Sequence, residues 1–319
     1  MSGVKLFWKG SRPLTWALSV CPVLIAAIST RLDVVWDTTI VGRPSVAEYP
    51  ALYVTLCVIV AWSLQVAANF INDYYDGVSG IDDTRDSSAP LRVNVSQEGR
   101  RFAYLSASGM ALLGIVSGIA VVALSKQWWL LVVGVVCLAA VVAYSVFFAR
   151  LGLGEVIAFI FFGPVVVWCV QWLLIRAIGV WGIVAGVQTG LLSAGVMLVN
   201  NLRDKESDAI SHKVTIVVRW GRVTGNRILA LCLVAVWTLH AVQCLSVLML
   251  VHWHTSAWNV LLIVVGFIVS AVTTRVAMCG AVYAREDSRI YRLVFFAVQT
   301  FMVLLTVQYA LVLLVLNPA

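Results

Sequence analysis

The chain has 319 residues, 61% of them hydrophobic and only 12% charged, against roughly 25% charged in a soluble domain. That composition excludes a soluble globular protein and describes an all-α integral membrane protein, a single bundle over residues 1–319. The net charge of +7 invites a nucleic-acid partner, but the placement of the charges fits membrane orientation instead, so no nucleic acid is expected.

From the N-terminus, Lys5, Lys9 and Arg12 precede an apolar stretch ending in Ala26-Ala27-Ile28-Ser29. A signal peptide begins this way, but Pro13 interrupts the start and many further spans follow, which favours an uncleaved first helix. Apolar runs then predict about nine transmembrane helices, at 13–30, 50–76, 102–124, 128–149, 154–175, 180–202, 227–250, 257–284 and 290–316. With the N-terminus cytoplasmic, the inner segments are 1–12, 77–101, 150–153, 203–226 and 285–289. These segments and the adjoining helix ends hold seventeen of the 22 Lys and Arg, a bias that sets orientation strongly. The expected location is therefore a cell membrane, multi-pass, with the polar inner segments facing the cytoplasm. Most of the thirteen Trp fall near predicted helix ends, as interfacial residues do. Seven Cys lie singly in apolar runs without a C-x-x-C pair, which suits small lipid- or core-facing residues rather than a disulfide or metal framework.

One stretch stands out, Asn69 to Asp86, NFINDYYDGVSGIDDTRD, at the end of the second predicted span. Asn69, Asn72, Asp73 and Asp76 arrive within eight positions. Asn69 and Asp73 are i,i+4 and Asp73 and Asp76 are i,i+3, so one helical face carries all three. Carboxylates this close repel one another and are costly to desolvate without a counter-charge. A second stretch repeats the pattern: Asn200, Asp204 and Asp208 end the sixth predicted span, and Asn200-x-x-x-Asp204 has the spacing of Asn69-x-x-x-Asp73. The two stretches hold eight of the fifteen acidic residues. A solvated helix end explains one such cluster; two of the same spacing suggest two halves of one site.

Hard oxygen donors without His or Cys suit Mg²⁺, which takes one or two carboxylates and lets substrate phosphates complete its octahedron. Asn69, Asp73, Asp76, Asp204 and Asp208 are the candidate ligands. If the organic part of the diphosphate is an allylic lipid, ionisation of its C–O bond gives a cation that an apolar bundle shields from water. Tyr74, Tyr75 and Trp62 could steady it by cation–π attraction, or serve only as interfacial aromatics. Arg92 and Lys213 are the favoured cations for the diphosphate. Gln65, one turn before Asn69 on the same face, is a further polar candidate within a span, and Gln188 lies three turns before Asn200.

These motifs resemble those of the UbiA superfamily of membrane prenyltransferases, and within it the 1,4-dihydroxy-2-naphthoate polyprenyltransferases of menaquinone synthesis. The resemblance runs from SRPLT (Ser11 to Thr15) through NDYYDGVSGIDD, PLR (Pro90 to Arg92), GLGE (Gly152 to Glu155), FFG (Phe161 to Gly163) and NNLRD to the loop ending in Gly221. It implies a ring of nine helices around a lipid-open cavity, with Mg²⁺ and a prenyl diphosphate held by the two Asp-rich motifs. Lys213 and Thr215 match the Lys and Thr that follow the second motif. The implied reaction moves a polyprenyl group to 1,4-dihydroxy-2-naphthoate with decarboxylation, giving demethylmenaquinol. Two departures stand out: His212 where the family usually has Gly, and Ala89 where Gly is common before Pro90.

The same donor chemistry on another acceptor, such as 4-hydroxybenzoate, homogentisate or haem, is the alternative among enzymes. A divalent-cation transporter is the alternative of another class, and it would place its carboxylates near mid-bilayer. Prenyl chain length and oligomeric state are not encoded in these signals.

Overall fold

The fold is given by a computed structural model describing residues 3–36, 47–78, 96–144, 147, 151–210, 213–250, 257–283 and 288–316. Those residues are helical between short turns, with no strand among them. A short helix α1 (Gly3–Ser11) leads into α2 (Ala17–Trp36), α3 (Pro50–Val78), α4 (Gln97–Ser125) and α5 (Leu130–Ala143). Then come α6 (Gly154–Ile175), α7 (Val180–Arg203), the short α8 (Lys205–Ile210), α9 (Ile216–Leu250), α10 (Ala257–Tyr283) and α11 (Ser288–Leu316). Seven of these are long and apolar enough to cross a membrane, and the apolar helices Leu130–Ala143 and Val264–Cys279 are shorter. They stand where the remaining two of the about nine anticipated spans fall.

Helix ends follow local chemistry. Ser96 starts α4, its hydroxyl accepting the Gly99 N–H at 3.0 Å, an ordinary N-cap. Lys126 and Arg176, both left-handed, end α4 and α6. Two boundaries differ from the hydropathy reading. Residues 3–11, expected as an inner tail, form a helix whose Val4 and Trp8 are exposed and whose Gly10 lies against the Phe70 ring. The segment 203–226, expected as a polar loop, is largely helical: α8 fills part of it and α9 begins at Ile216, bending at Gly221 (φ 82°). Only glycine tolerates that dihedral cheaply, and hydropathy averaged over a span cannot see a short helix that leans on its neighbours.

Spans α7 and α2 form the centre, 72% and 61% buried, whereas α3, α4, α6 and α9 are 28–33% buried. Leu192, Val196 and Val199 of α7 pack with Ile25 and Leu32 of α2, Leu229 and Val236 of α9, and Phe301 and Leu305 of α11. The outward sides of α4 and α5 show Leu112, Val116, Ile119, Val132 and Val135, an apolar surface whose solvent is lipid rather than water. All described Cys are free thiols.

The crossing of α6 on α7 uses small residues. A Cβ on Gly163 would lie 2.4 Å from the Gly186 carbonyl oxygen and 2.7 Å from the Gly190 Cα, so the two backbones are in contact, as small-residue motifs allow in membranes. The turn Phe161–Val165 around Pro164 widens to π-helical geometry, a known accommodation in a continuing helix. Gly163→Ala is expected to cost about 1–3 kcal/mol through forced backbone separation. Gly109→Ala, with nothing within 4 Å, is the control that should leave the thermal midpoint of the detergent-solubilised protein unchanged.

At the end of the bundle away from Asn69, α2 caps α7. Asp33 Oδ1 and Oδ2 accept the Trp181 and Gly182 N–H groups at 2.8 and 3.1 Å, and Gln171 Nε2 donates to Oδ2 at 2.5 Å. Gly182 exists for this contact, because a Cβ there would meet Gln171. Farther along the bundle, Gln188, Gln243 and Tyr309 close a buried ring of hydrogen bonds at 2.8–3.0 Å that joins α7, α9 and α11. Gln188 thus links helices.

Candidate active site

The first motif forms the last two turns of α3. Asn69, Asp73 and Asp76 are all buried, at 7%, 1% and 3% exposure, while Asn72, half-buried, donates from Nδ2 to Asp76 Oδ2 at 3.3 Å. The 3.6-residue period does what the spacing implies: it turns all three toward the bundle interior. Burying two carboxylates requires counter-charges, and the fold supplies them from distant sequence. Arg12 pairs with Asp73, and Lys213 Nζ lies 3.2 Å from Asp76 Oδ1.

The Arg12 pairing has a built approach. Asn69 Nδ2 donates to the Ser11 carbonyl at 3.0 Å and to Thr15 Oγ1 at 3.2 Å, gripping the loop on either side of Arg12. Thr15 Oγ1 in turn donates to the Arg12 carbonyl at 2.9 Å. Arg12 itself adopts φ 49° and ψ 67°, a left-handed conformation that costs a branched-off side chain of order 1 kcal/mol and persists only where its surroundings impose it. Gln65 reaches Asn69 Oδ1 at 3.5 Å. Tyr74 packs between Tyr75 and Tyr104, and Trp62 packs edge-on against Trp16, which meets Trp8 in the same way.

The second motif spans the α7–α8 junction. Asn200 is half-buried and its carbonyl accepts the Asp204 N–H at 2.9 Å. Asp204 is held by its neighbour Arg203 through two bonds of 2.7 and 2.8 Å. Asp208 is buried, and its carbonyl accepts the Lys213 N–H at 2.9 Å. Lys213 therefore touches both motifs, its backbone on one and its ammonium on the other, which puts them at the same end of the bundle. Gly152 (φ 72°) makes room for this loop: a Cβ there would be 2.4 Å from the Val214 carbonyl oxygen.

Arg222, just after the Gly221 bend, fastens α8. Its guanidinium donates to the Leu202 carbonyl at 2.6 Å and to Glu206 Oε2 at 2.5 Å, and stands 5.6 Å over the Tyr291 ring. Partial burial pushes the Glu206 carboxyl up, but the hydrogen bond and charge of Arg222 outweigh it, leaving the group below the usual carboxylate range. A depressed folded pKa means the pair stabilises fully above the unfolded pKa and is lost as pH falls through the folded value.

The donor chemistry fits Mg²⁺. All candidate ligand atoms are hard oxygens, two buried carboxylates sit on α3, and cations already neutralise them. No three His, Cys, Asp or Glu among the described residues converge closely enough to cage a metal alone. Asp82, Asp83, Asp86, Arg92 and His212 lie outside the described residues.

Sequence reasoning placed Arg12 only among the cations ahead of the first span and within SRPLT; the structure pairs it with Asp73. It gave Arg222, Asn201 and Glu155 no role. The signals were present in part: SRPLT and GLGE had been singled out as motifs, but what they touch is set by packing.

Fold and site together define a polytopic membrane protein in which two buried carboxylates at the end of one helix are paired with cations from distant sequence, and a second acid-bearing helix end is joined to them through Lys213. Its family follows from comparison with known proteins: the model of the UbiA prenyltransferase family matches residues 38–277, and the chain belongs to that family. A 1,4-dihydroxy-2-naphthoate octaprenyltransferase of Mycobacterium leprae is 35% identical over 237 residues, covering 73% of this chain and 75% of that protein. The protein of the same name from Mycobacterium tuberculosis is 34% identical over 219 residues, covering 66% and 68%. Among solved structures, a UbiA homolog from Archaeoglobus fulgidus bound to DMAPP and Mg²⁺ superposes with a TM-score of 0.58 at 14% identity, over 97% of this chain and 99% of that one; this likeness speaks to the fold.

Proposed function

We propose that this prenyltransferase moves a polyprenyl group from its diphosphate to the ring carbon of 1,4-dihydroxy-2-naphthoate, with loss of the carboxylate, yielding demethylmenaquinol for menaquinone synthesis. The observation that carries the donor half is the Lys213 contact with both motifs, which brings carboxylates of one helix end to the acid-bearing end of another. The acceptor half is supported by the shared name of the Mycobacterium relatives.

In this reading Asn69, Asp73, Asp76, Asp204 and Asp208 hold Mg²⁺, as the Mg²⁺-bound Archaeoglobus homolog encourages. Bound there, the ion supplies Lewis-acid polarisation of the departing diphosphate. Arg12 and Lys213, released from Asp73 and Asp76, turn to the diphosphate oxygens, with Asn72 and Asn200 as further donors, and Arg92 keeps the diphosphate role read from the sequence. Gln65 and Asn69 keep the Arg12 loop in register. The apolar spans take the isoprenoid tail and keep water from the allylic cation, with Tyr74 near its head. The protein acts in the cell membrane, its site facing the cytoplasm.

Expression in cells lacking their own naphthoate prenyltransferase, followed by mass spectrometry of membrane quinones, tests the assignment. Restored demethylmenaquinone or menaquinone supports it. Prenylated 4-hydroxybenzoate, homogentisate or haem in its place assigns another acceptor.

A further inference from the structure

Glu155 is a buried carboxyl that nothing above uses. It sits in the first turn of α6 at 6% exposure. Asn201, next to Asn200 of the second motif, donates from Nδ2 to its Oε1 at 2.8 Å. Its other oxygen, Oε2, has no hydrogen-bond partner. Among the described residues it is the one carboxylate oxygen left so; the other unpartnered buried atoms belong to amides, an indole, an imidazole and a hydroxyl. An unmet carboxylate oxygen is expensive in an apolar interior, and a glutamine would serve Asn201 at less cost.

The surroundings say what it faces. Tyr144, at the end of α5, abuts this turn: a Cβ on Gly154 would lie 3.5 Å from its hydroxyl. Gly152, three residues before Glu155, lies against the Val214 carbonyl next to Lys213, and Asn201 adjoins Asn200, so Glu155 borders the region where both motifs meet. It comes from the α6 side, whereas Asp73 and Asp76 come from α3. Tyr144 donates to Met197 Sδ at 3.1 Å and so leaves Glu155 Oε2 unmet.

We infer that Glu155 is a catalytic residue for the acceptor: its Oε2 takes the proton of the acceptor hydroxyl next to the attacked carbon and later returns it. The inference rests on the proposed hydroxyarene acceptor. As the ring carbon forms its bond to the allylic carbon, the ring π pair makes that bond, the O–H pair becomes the C=O π bond, and the proton passes to Glu155. The product of this step is a β-keto carboxylate. Its C–CO₂ bond then breaks, the released pair restores the ring double bond, the carbonyl π pair returns to oxygen, and Glu155 gives the proton back. The residue ends as it began, and carbon dioxide and pyrophosphate leave.

Glu155→Gln in the full-length protein tests this, because glutamine keeps the volume and an oxygen for Asn201. The expected result is a fall in kcat of about 100-fold, the scale of general acid–base catalysis. The Kd for geranyl diphosphate in the presence of Mg²⁺, measured by calorimetry, should stay at the wild-type value. Glu155→Asp, which keeps a carboxylate one methylene back, should recover part of the lost rate. Wild-type kcat in Glu155→Gln overturns the inference, and so does a parallel loss of diphosphate binding, which would mark a structural role. The two readings fail separately. Wild-type protein that prenylates a different hydroxyarene sinks the naphthoate assignment, and Glu155→Gln is then measured on that acceptor.

Discussion

Asp73→Asn is expected to lower Mg²⁺-dependent turnover by about 10³-fold, the scale seen when one preorganised charged or polar group is removed from a reacting centre. The reason lies in position and burial together. Asp73 is 1% exposed and pairs with Arg12 across 61 residues of sequence. Asparagine preserves the shape and can still accept from Arg12, so the fold should survive with its thermal midpoint little changed. What it cannot do is supply the negative charge that draws a divalent ion. The measurement is pyrophosphate release at saturating diphosphate over a Mg²⁺ titration, beside a melting curve of the same preparation. Turnover within about tenfold of wild type would remove Asp73 from the metal. Loss of both turnover and folding would recast the Arg12 pair as structural. Asp204→Asn should behave similarly on turnover; there the released partner is the adjacent Arg203, 22% exposed, which water can satisfy.

The largest effect on stability is expected at the opposite end of the bundle. Asp33→Ala strands the Trp181 and Gly182 N–H groups in one step and takes from Gln171 Nε2 the stronger of its two acceptors, leaving it Ser29 Oγ at 3.2 Å. Each unmet buried donor costs about 1–3 kcal/mol, and the first turn of α7 also loses the negative charge that suits a helix N-terminus. A loss of about 3 kcal/mol or more is the outcome to look for, read as a lowered midpoint in detergent. Asp33→Asn should lose less, since one oxygen still accepts a backbone N–H. Because Asp33 lies far from the carboxylate cluster, turnover per folded molecule should match wild type at low temperature. A midpoint equal to wild type in Asp33→Ala would mean that water or neighbouring groups take over the α7 terminus.

The two variants separate two kinds of buried acid. Asp33 is satisfied by neutral donors and holds helices together. Asp73 and Asp76 are satisfied by cations that other charges can displace, which is a property of a binding site. Glu155 is a third kind, half satisfied, and its free oxygen points to chemistry rather than scaffolding.

Much of this protein was legible from local pattern. The spans were readable because a membrane helix must bury its backbone polar groups along its own length, so hydropathy over about twenty residues marks it. The shared face of Asn69, Asp73 and Asp76 was readable because helical periodicity is fixed. Hydropathy failed where a helix is short or leans on a neighbour: Gly3–Ser11, Lys205–Ile210 and the start of α9 before the Gly221 bend.

By itself, the sequence determined an all-helical membrane bundle and two acid-and-amide helix ends with the same spacing, since both follow from nearest-neighbour chemistry along the chain. Only the tertiary structure decided which cation meets which carboxylate, Arg12 with Asp73 and Lys213 with Asp76 across 137 residues. It alone also showed that Asp33 caps a helix other than its own and that Glu155 keeps one oxygen unmet. Those facts depend on how closely α2, α6 and α7 approach. That approach is fixed by glycines such as Gly163 and Gly182 acting against residues far away in sequence, and no local pattern records the partner.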